Sequence, residues 1–156
     1  MWIDELPYVD EHAADIAADA DDVWAALVET LDRSFSHAAA STYARAVGCD
    51  DHRASGPRPL AAGSAMPGFR VAVATAPSEL VLVGRHRFSS YALCFHIDVI
   101  GAGHTQLRAE TRAAFPGVTG ALYRTLVIGT RGHDVAVRRL LAGIKRRAES
   151  RARSAA

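Results

Sequence analysis

From residue 69 to residue 115, apolar and polar side chains alternate, which is the pattern of strands with one buried face. The alternation predicts four strands, over residues 69–76, 79–88, 91–100 and 104–115. The short links between them indicate hairpin turns and therefore an antiparallel meander. A single choice of registers brings the apolar residues of all four strands to one face: Thr75 opposite Leu80, Phe88 opposite Tyr91, and Ile100 opposite His104.

On either side of this meander, apolar residues recur every three or four positions, as in helices that bury one face. Toward the N-terminus, a weak strand over residues 8–17 precedes a helix capped by Asp19 and a second helix over 36–47, which Gly48 ends. Toward the C-terminus, the pattern predicts one continuous helix over about 118–149. Its apolar stripe comprises Leu122, Leu126, Gly129 or Thr130, His133, Val137, Leu140, Leu141 and Ile144.

These elements predict an α+β fold, in which an antiparallel sheet wraps around a long C-terminal helix and two short helices follow the first strand. A chain of 156 residues has the size of one domain. We assign that domain to residues 1–149 and expect residues 150–156 to form a basic, flexible tail. Residues 48–68 are rich in Gly, Pro, Ala and Ser and predict a long loop, which we expect to act as a lid.

Composition and charge narrow the class of protein. No apolar run approaches the ~20 residues of a membrane span and no secretory signal is evident, so we expect a cytoplasmic protein. Cys49 and Cys94 fit neither a disulfide scaffold nor a zinc ribbon. The net charge of +1 does not indicate a nucleic-acid binder. The charged residues are unevenly distributed along the chain, however. Residues 1–32 include ten acidic residues and no Lys or Arg, whereas residues 138–156 include seven basic residues and one acidic residue.

Three segments resemble a known superfamily. The first runs from Ile16 to Trp24, where an apolar residue that ends a strand and a short turn lead into Val-Trp at the start of a helix. The second is Gly-His-Thr-Gln-Leu at 103–107, and the third spans 120–144. With the order of elements, they resemble the helix-grip fold of the START, polyketide-cyclase and birch-pollen-allergen-like superfamily, SRPBCC. This resemblance implies a cavity between sheet and C-terminal helix that holds lipids, sterols, polyketides or other apolar molecules, but it implies no single reaction.

The predicted register gathers small residues at one level of the inward face. Gly84, Ala109, Thr111 and Ala113 remove volume there. A helix rises about 1.5 Å per residue, which places His133 over Ala109 or Thr111. Protein interiors pack densely, so two facing surfaces that lose volume at the same level predict a cavity.

The predicted cavity gives a set of candidate ligand-binding residues: His133, Thr130, His86, Tyr91, Thr111, Phe95, Gly84, Ala109 and Leu126. His12 and Tyr43 are further candidates for polar groups that point into it. Each residue also has a structural interpretation. A histidine on an apolar stripe can be a core residue satisfied by a hydroxyl, and a tyrosine can pack with its hydroxyl in water.

Two functions fit these candidates. The favoured one is binding, transport or sequestration of a hydrophobic small molecule, because the predicted inward face carries no carboxylate or lysine. The alternative is a polyketide cyclase, aromatase or dehydratase, in which His133 or His86 acts as general base and Tyr91 donates to an enolate. We expect no metal, since no histidine spacing predicts a site, and no cofactor or nucleic-acid partner. Whether the chain forms a homodimer is left open.

Overall fold

The structure, a computed structural model, describes residues 2–156, and its elements follow the predicted order. The strands are β1 (Tyr8–Ile16), β2 (Ala65–Met66), β3 (Phe69–Thr75), β4 (Glu79–His86), β5 (Ser89–Gly101) and β6 (His104–Ala114). The α-helices are α1 (Ala20–Phe35), α2 (Ala38–Val47), α3 (Gly117–Arg124) and α4 (Gly132–Ser154). A 3-10 turn (Trp2–Glu5) precedes β1, and a π-helical turn (Thr125–Gly129) follows α3.

The strands form one antiparallel sheet in the order β1-β6-β5-β4-β3-β2, which confirms the α+β fold. Helices α1 and α4 pack on each other and on one face of the sheet, and the main core lies between these layers. A smaller cluster on the opposite face is made by Ile3, Leu6, Val81, Ala92 and Cys94. Within residues 2–156, no helix is both long and apolar enough to cross a bilayer.

Two strand pairings keep every side chain on its predicted face. Over residues 90–99, β5 pairs with β6 in the predicted register, with Ile97 opposite Leu107, but a shift next to the turn places Gly101 opposite His104 in the place predicted for Ile100. β4 and β5 pair four residues away from the prediction, because their turn lies at 87–88 and Gly84 therefore faces Tyr91. Since side chains alternate with a period of two, a shift of four residues changes the neighbours without changing the face.

The pairing of β3 with β4 differs from the prediction in a way that does move side chains. Thr75 lies opposite Glu79, one residue from the predicted partner, and a bulge falls between Val71 and Val73. The extra residue reverses the alternation, so Val73 packs with the smaller cluster on the opposite face. Ala74 packs against the main core in its place.

The prediction of one continuous helix over 118–149 is wrong. The backbone takes a left-handed conformation at Arg131, with φ of 58°, and this residue separates the π-helical turn from α4. The segment before the break has its own orientation, in which Leu122 and Leu126 are 72% and 65% exposed rather than facing the sheet. Beyond the predicted end of the helix, α4 continues to Ser154.

Candidate functional site

A cavity of about 510 Å³ lies at the end of the sheet where β4 turns into β5. Helix α2, helix α3 and the π-helical turn form its other walls. The loop expected to act as a lid contributes Cys49, Pro67 and Gly68. Aromatic rings make up much of the wall: Phe35, Tyr43, Phe69, His86, Tyr91, Phe115 and Tyr123.

The cavity lies farther along β6 than the level of Ala109. Ala109 pairs with Phe95, and both are fully buried in the main core, to which α4 contributes Leu141. Larger neighbouring side chains therefore fill the space that a small residue at position 109 would otherwise leave empty. Thr111 and Ala113, the next inward residues of β6, line the cavity.

Gly84 does not create empty space, contrary to the prediction, because the ring of Tyr91 lies across it. A Cβ at position 84 would come within 2.3 Å of both the Tyr91 ring and the carbonyl oxygen of Gly68. That separation is far inside van der Waals contact, and one of the two neighbours is backbone. Glycine at this position thus permits the close approach of Tyr91 to β4, and the Tyr91 ring contributes to the cavity wall.

The hydroxyl of Tyr91 is occupied within the protein. It donates a 2.6 Å hydrogen bond to the carbonyl oxygen of Gly68 and lies 3.9 Å from Sγ of Cys49. Burial, followed by the proximity of Cys49, raises the pKa of Tyr91 well above its usual value. Tyr91 has one hydroxyl proton, and this proton is directed at Gly68, which argues against the expected donation to an enolate.

His86 lies on the cavity wall as a neutral donor. Its Nδ1 accepts a hydrogen bond from the backbone N–H of Phe88 at 3.1 Å. Burial lowers the pKa of His86 below its usual value, because desolvation disfavours the imidazolium form. In the neutral ring with Nδ1 as acceptor, the proton is on Nε2. The ring packs edge-on against Tyr123, with centroids 4.9 Å apart.

Two tyrosines meet at the mouth of the cavity. The hydroxyl oxygens of Tyr43, from α2, and Tyr123, from α3, are 2.8 Å apart, and either can donate. Tyr123 also stacks on Phe88 at a centroid distance of 5.5 Å. Burial and the hydrogen bond with Tyr43 raise the pKa of Tyr123, so the Tyr123 hydroxyl group is neutral near pH 7.

His133, at the start of α4, lies over β6 at the predicted level. Its Nε2 is 3.0 Å from Oγ1 of Thr111 and 3.5 Å from Oδ1 of Asp10. Asp10 reaches this position because β1 pairs with β6 and places Asp10 opposite Thr111. The prediction of an inward face without carboxylates is therefore wrong. The sequence pattern of β1 does not reveal which strand it joins.

A second histidine and a second aspartate complete a polar cluster under the start of α4. Nε2 of His12 lies 3.1 Å from Oδ1 of Asp134 and 3.5 Å from Oδ2 of Asp10. His12 Nε2 and Asp10 Oδ1 are buried without a well-oriented hydrogen bond. Within residues 2–156, no group of three histidine, cysteine or acidic side chains is arranged to hold a metal ion.

The structure brings together part of the predicted set of ligand-binding residues. Those on the cavity wall are His133, His86, Tyr91, Thr111 and the further candidate Tyr43. The remaining candidates lie elsewhere: Phe95 and Ala109 in the core, Gly84 beneath Tyr91, Leu126 and Thr130 at the surface, and His12 in the polar cluster. The shifted register of β4 accounts for the exclusion of Gly84, and the break before α4 accounts for that of Leu126 and Thr130.

Sequence reasoning also missed several residues of the site. Phe35 of α1 continues the helical spacing of Val28 and Leu31, so that periodicity could have placed it on the inward face. Asp10 alternates with His12 along β1 and shares its face. Phe115 ends the inward-facing set of the predicted strand over 104–115, although β6 itself ends at Ala114.

Comparison with known proteins gives structural matches only, since no protein-family model and no curated protein match the sequence. The Zhui aromatase/cyclase from Streptomyces sp. R1128 matches with a TM-score of 0.57 and 16% identity, over 96% of this chain and 98% of that chain. The di-domain ARO/CYC StfQ from the steffimycin biosynthetic pathway matches with a TM-score of 0.61 and 14% identity, over 96% of this chain and 53% of StfQ.

Norcoclaurine synthase from Thalictrum flavum also matches, with a TM-score of 0.54 and 12% identity, over 90% of this chain and 94% of that chain. Identities this low establish a shared fold and not a shared activity. All three structures agree with an antiparallel sheet that packs against a long C-terminal helix. The chain therefore has the helix-grip fold that these three structures share.

Proposed function

We propose that the protein binds an apolar small molecule with aromatic character in the cavity at the end of the sheet. The observation that carries the proposal is the wall itself, which encloses about 510 Å³ mainly with aromatic and aliphatic side chains. Small-molecule sites typically have volumes of about 300–1,000 Å³, apolar walls and a few convergent polar groups. Tilted ring pairs such as Phe35–Phe69, with centroids 4.9 Å apart, are suited to pack against a flat ligand.

The polar groups on the wall suit a ligand with a carbonyl or hydroxyl group. His86 offers a proton on Nε2, since its Nδ1 is already an acceptor. The hydroxyl pair of Tyr43 and Tyr123 offers one further proton and free acceptor positions at the mouth. These groups orient the ligand, and the aromatic wall supplies most of the affinity.

A neutral fluorescent probe tests this proposal. We expect 1-pyrenebutanol to bind and to show raised fluorescence anisotropy. Ala113→Phe, which fills the cavity, should weaken binding by at least about tenfold, a change of roughly 1.4 kcal/mol. The control is Ala13→Phe, which adds the same side chain at an exposed position of β1. No binding to the unaltered protein, or equal loss in both variants at unchanged melting temperature, would contradict the proposal.

The two cysteines give an independent measurement of occupancy. Cys49 lies on the cavity wall, whereas Cys94 is buried on the opposite face of the sheet. Burial raises the pKa of both thiols, to about 11 for Cys94, so both react slowly with iodoacetamide. Saturation with 1-pyrenebutanol should slow alkylation of Cys49 further and leave Cys94 unchanged, as measured by mass spectrometry of the peptides. Equal protection of both cysteines would indicate general stabilisation instead of occupancy of the cavity.

The polar cluster under α4 favours a second candidate function, proton transfer next to a ligand carbonyl. His133 lines the cavity, and its Nε2 lies 3.5 Å from Oδ1 of Asp10, a carboxylate that would stabilise the imidazolium formed when His133 acts as a general base. The enolate formed by such a step is the first intermediate of a cyclisation. Tyr91 is not the donor in this scheme, because its proton is directed at Gly68; His86 has the free N–H.

Hydrogen–deuterium exchange at the α-carbon of 2-tetralone tests this second function. If it holds, the protein accelerates exchange in D2O, as followed by NMR. His133→Gln should abolish the acceleration, and Asp10→Asn should reduce it by about 10²-fold or less while ligand affinity stays unchanged. Binding of 1-pyrenebutanol without any acceleration of exchange would leave the first function in place and remove the second.

A further inference from the structure

A groove of about 1,350 Å³ runs along the outside of the molecule between α1 and α4. The groove adjoins the cavity, and six residues line both: Ser34, Phe35, His37, Phe69, Leu93 and His133. The apolar residues of the groove include Phe35, Phe69 and Leu93, which also line the cavity, and Leu140 of α4. At Gly143 the wall lacks a side chain, which widens the groove along α4.

The far part of the groove is strongly basic. Its wall includes one acidic side chain, Glu29, and five arginines: Arg33, Arg139, Arg146, Arg147 and Arg151. These arginines come from two helices, and the packing of α1 against α4 brings them to one concave surface. A cleft lined by charges of one sign concentrates its potential and attracts ions of the opposite sign.

The charges in the groove are only partly neutralised. Glu29 accepts from Arg33 at 2.8 Å and lies 3.6 Å from Arg151, so a single carboxylate serves two guanidinium groups. Arg147 donates to the hydroxyl of Thr30. Within residues 2–156, Arg139 and Arg146 have no acidic partner. They lie seven positions apart on α4 and therefore on one face of the helix.

We infer that the groove binds the anionic end of an amphipathic ligand, a carboxylate or a phosphate monoester, whose apolar body occupies the cavity. The inference rests on the proposed function and extends it, since it assigns the class of ligand. Guanidinium groups match carboxylate and phosphate oxygens in a bidentate geometry. Three of the residues that line both the groove and the cavity are apolar, namely Phe35, Phe69 and Leu93, and they offer an apolar ligand body contacts between the arginines and the aromatic wall. These contacts favour a small amphipathic molecule over an acidic protein, which would use the arginines without the cavity.

Two probes that differ only in their polar end test the inference. We expect 1-pyrenebutyrate to bind about tenfold more tightly than 1-pyrenebutanol. Raised ionic strength should weaken the binding of 1-pyrenebutyrate, which is an anion, and leave that of 1-pyrenebutanol unchanged. The variant R139Q/R146Q should lower the affinity for 1-pyrenebutyrate about tenfold and leave that for 1-pyrenebutanol unchanged. The matched control R45Q/R53Q removes the same charge from exposed positions outside the groove and should change neither affinity. Competition by laurate and by lauryl phosphate then tells which anionic group is preferred.

The outcomes separate this inference from the function on which it rests. Equal affinity of the unaltered protein for both probes, or an equal loss for 1-pyrenebutyrate in the two double variants, overturns the inference and leaves the cavity function standing. Failure of 1-pyrenebutanol to bind removes the cavity function and the inference with it. A third outcome is that a poly-glutamate peptide binds to the unaltered protein but not to R139Q/R146Q, while the two pyrene probes bind with equal affinity. The groove is then a docking site for an acidic protein, and the inference is wrong.

Discussion

The two ends of the sheet differ in packing although the same strands form both. At one end, Phe95 and Leu107 are fully buried under α1 and α4. At the other end, Tyr91, Thr111 and Ala113 face a cavity of about 510 Å³. Alternation along β5 and β6 points side chains inward at both ends. The elements above the sheet therefore decide whether that inward face is filled.

The covering elements differ in regularity. α4 supplies buried residues every three or four positions over the filled end: Val137, Leu141, Ile144 and Ala148. The open end is covered by α2, α3 and the π-helical turn, and the chain breaks at Arg131 before α4 begins. A regular helical stripe matches the close packing of a core, whereas a broken segment leaves volume that a ligand can occupy. Four predictions test this contrast, in order of decreasing effect.

The largest expected difference is between two isoleucines, one at each end. Ile144→Ala should lower the free energy of unfolding by about 2–5 kcal/mol, because Ile144 is fully buried in the core. Ile128→Ala should lower it by less than half of that, since Ile128 is half-buried and already borders a cavity. Urea denaturation measures both. Equal losses would mean that the two ends are packed alike.

The second prediction concerns the one tightly packed part of the open end. Gly84→Ala should destabilise the protein by about 1–3 kcal/mol, because the added methyl group overlaps the Gly68 backbone and the Tyr91 ring. Gly129→Ala is the control, since a Cβ there meets its nearest neighbour at 3.6 Å. The two melting temperatures give the comparison. A neutral effect of Gly84→Ala would show that the Tyr91 ring does not lie across β4.

The third prediction uses two alanines on the same face of β6. Ala109→Leu should destabilise by about 1–3 kcal/mol, because it overpacks a filled core. Ala113→Leu should change stability by less than about 1 kcal/mol, because the cavity accepts the added carbons, while the affinity for 1-pyrenebutanol falls. Denaturation and probe titration of the same two variants measure both effects. The reverse order of destabilisation would place the cavity at Ala109.

The smallest expected effect is the pH dependence from His86. Its pKa in the folded protein is lowered by burial, whereas the unfolded chain has the ordinary value near 6.5. The unfolded state therefore binds a proton at higher pH than the folded state. The contribution of His86 to stability is full above about pH 6.5 and is lost as the pH falls through the lower folded-state pKa.

The measurement is the urea midpoint at about pH 7.5 and about pH 5.5, for the unaltered protein and for His86→Gln. The variant should lose less stability over this range, because glutamine does not titrate. Since the other histidines are present in both proteins, the difference isolates His86. Identical pH profiles would mean that His86 is as well solvated in the folded protein as in the unfolded chain.

Much of the fold could be predicted because it depends on local patterns. The alternation over residues 69–115 gave the inward face of β5 and β6 correctly, and Gly103 in a left-handed turn fixed their register. His133 lies beside Thr111, one of the two residues predicted, although the continuous helix along which its level was counted is broken at Arg131. The register of β4 against β5 was wrong because Phe88 alternates like a strand residue but lies in the turn.

Amino-acid order alone determined the order of the main strands and helices and the inward faces of β4, β5 and β6, since hydrophobic periodicity and turn residues act over a few positions. Only the tertiary structure decided three features of the site: Asp10 beside His133, the ring of Tyr91 across Gly84, and the arginines of the groove on one surface. The first and third features bring together residues that are distant along the chain. The second depends on the register of β4 against β5, which the position of one turn sets. Such contacts follow from how whole elements pack, and no local pattern encodes them.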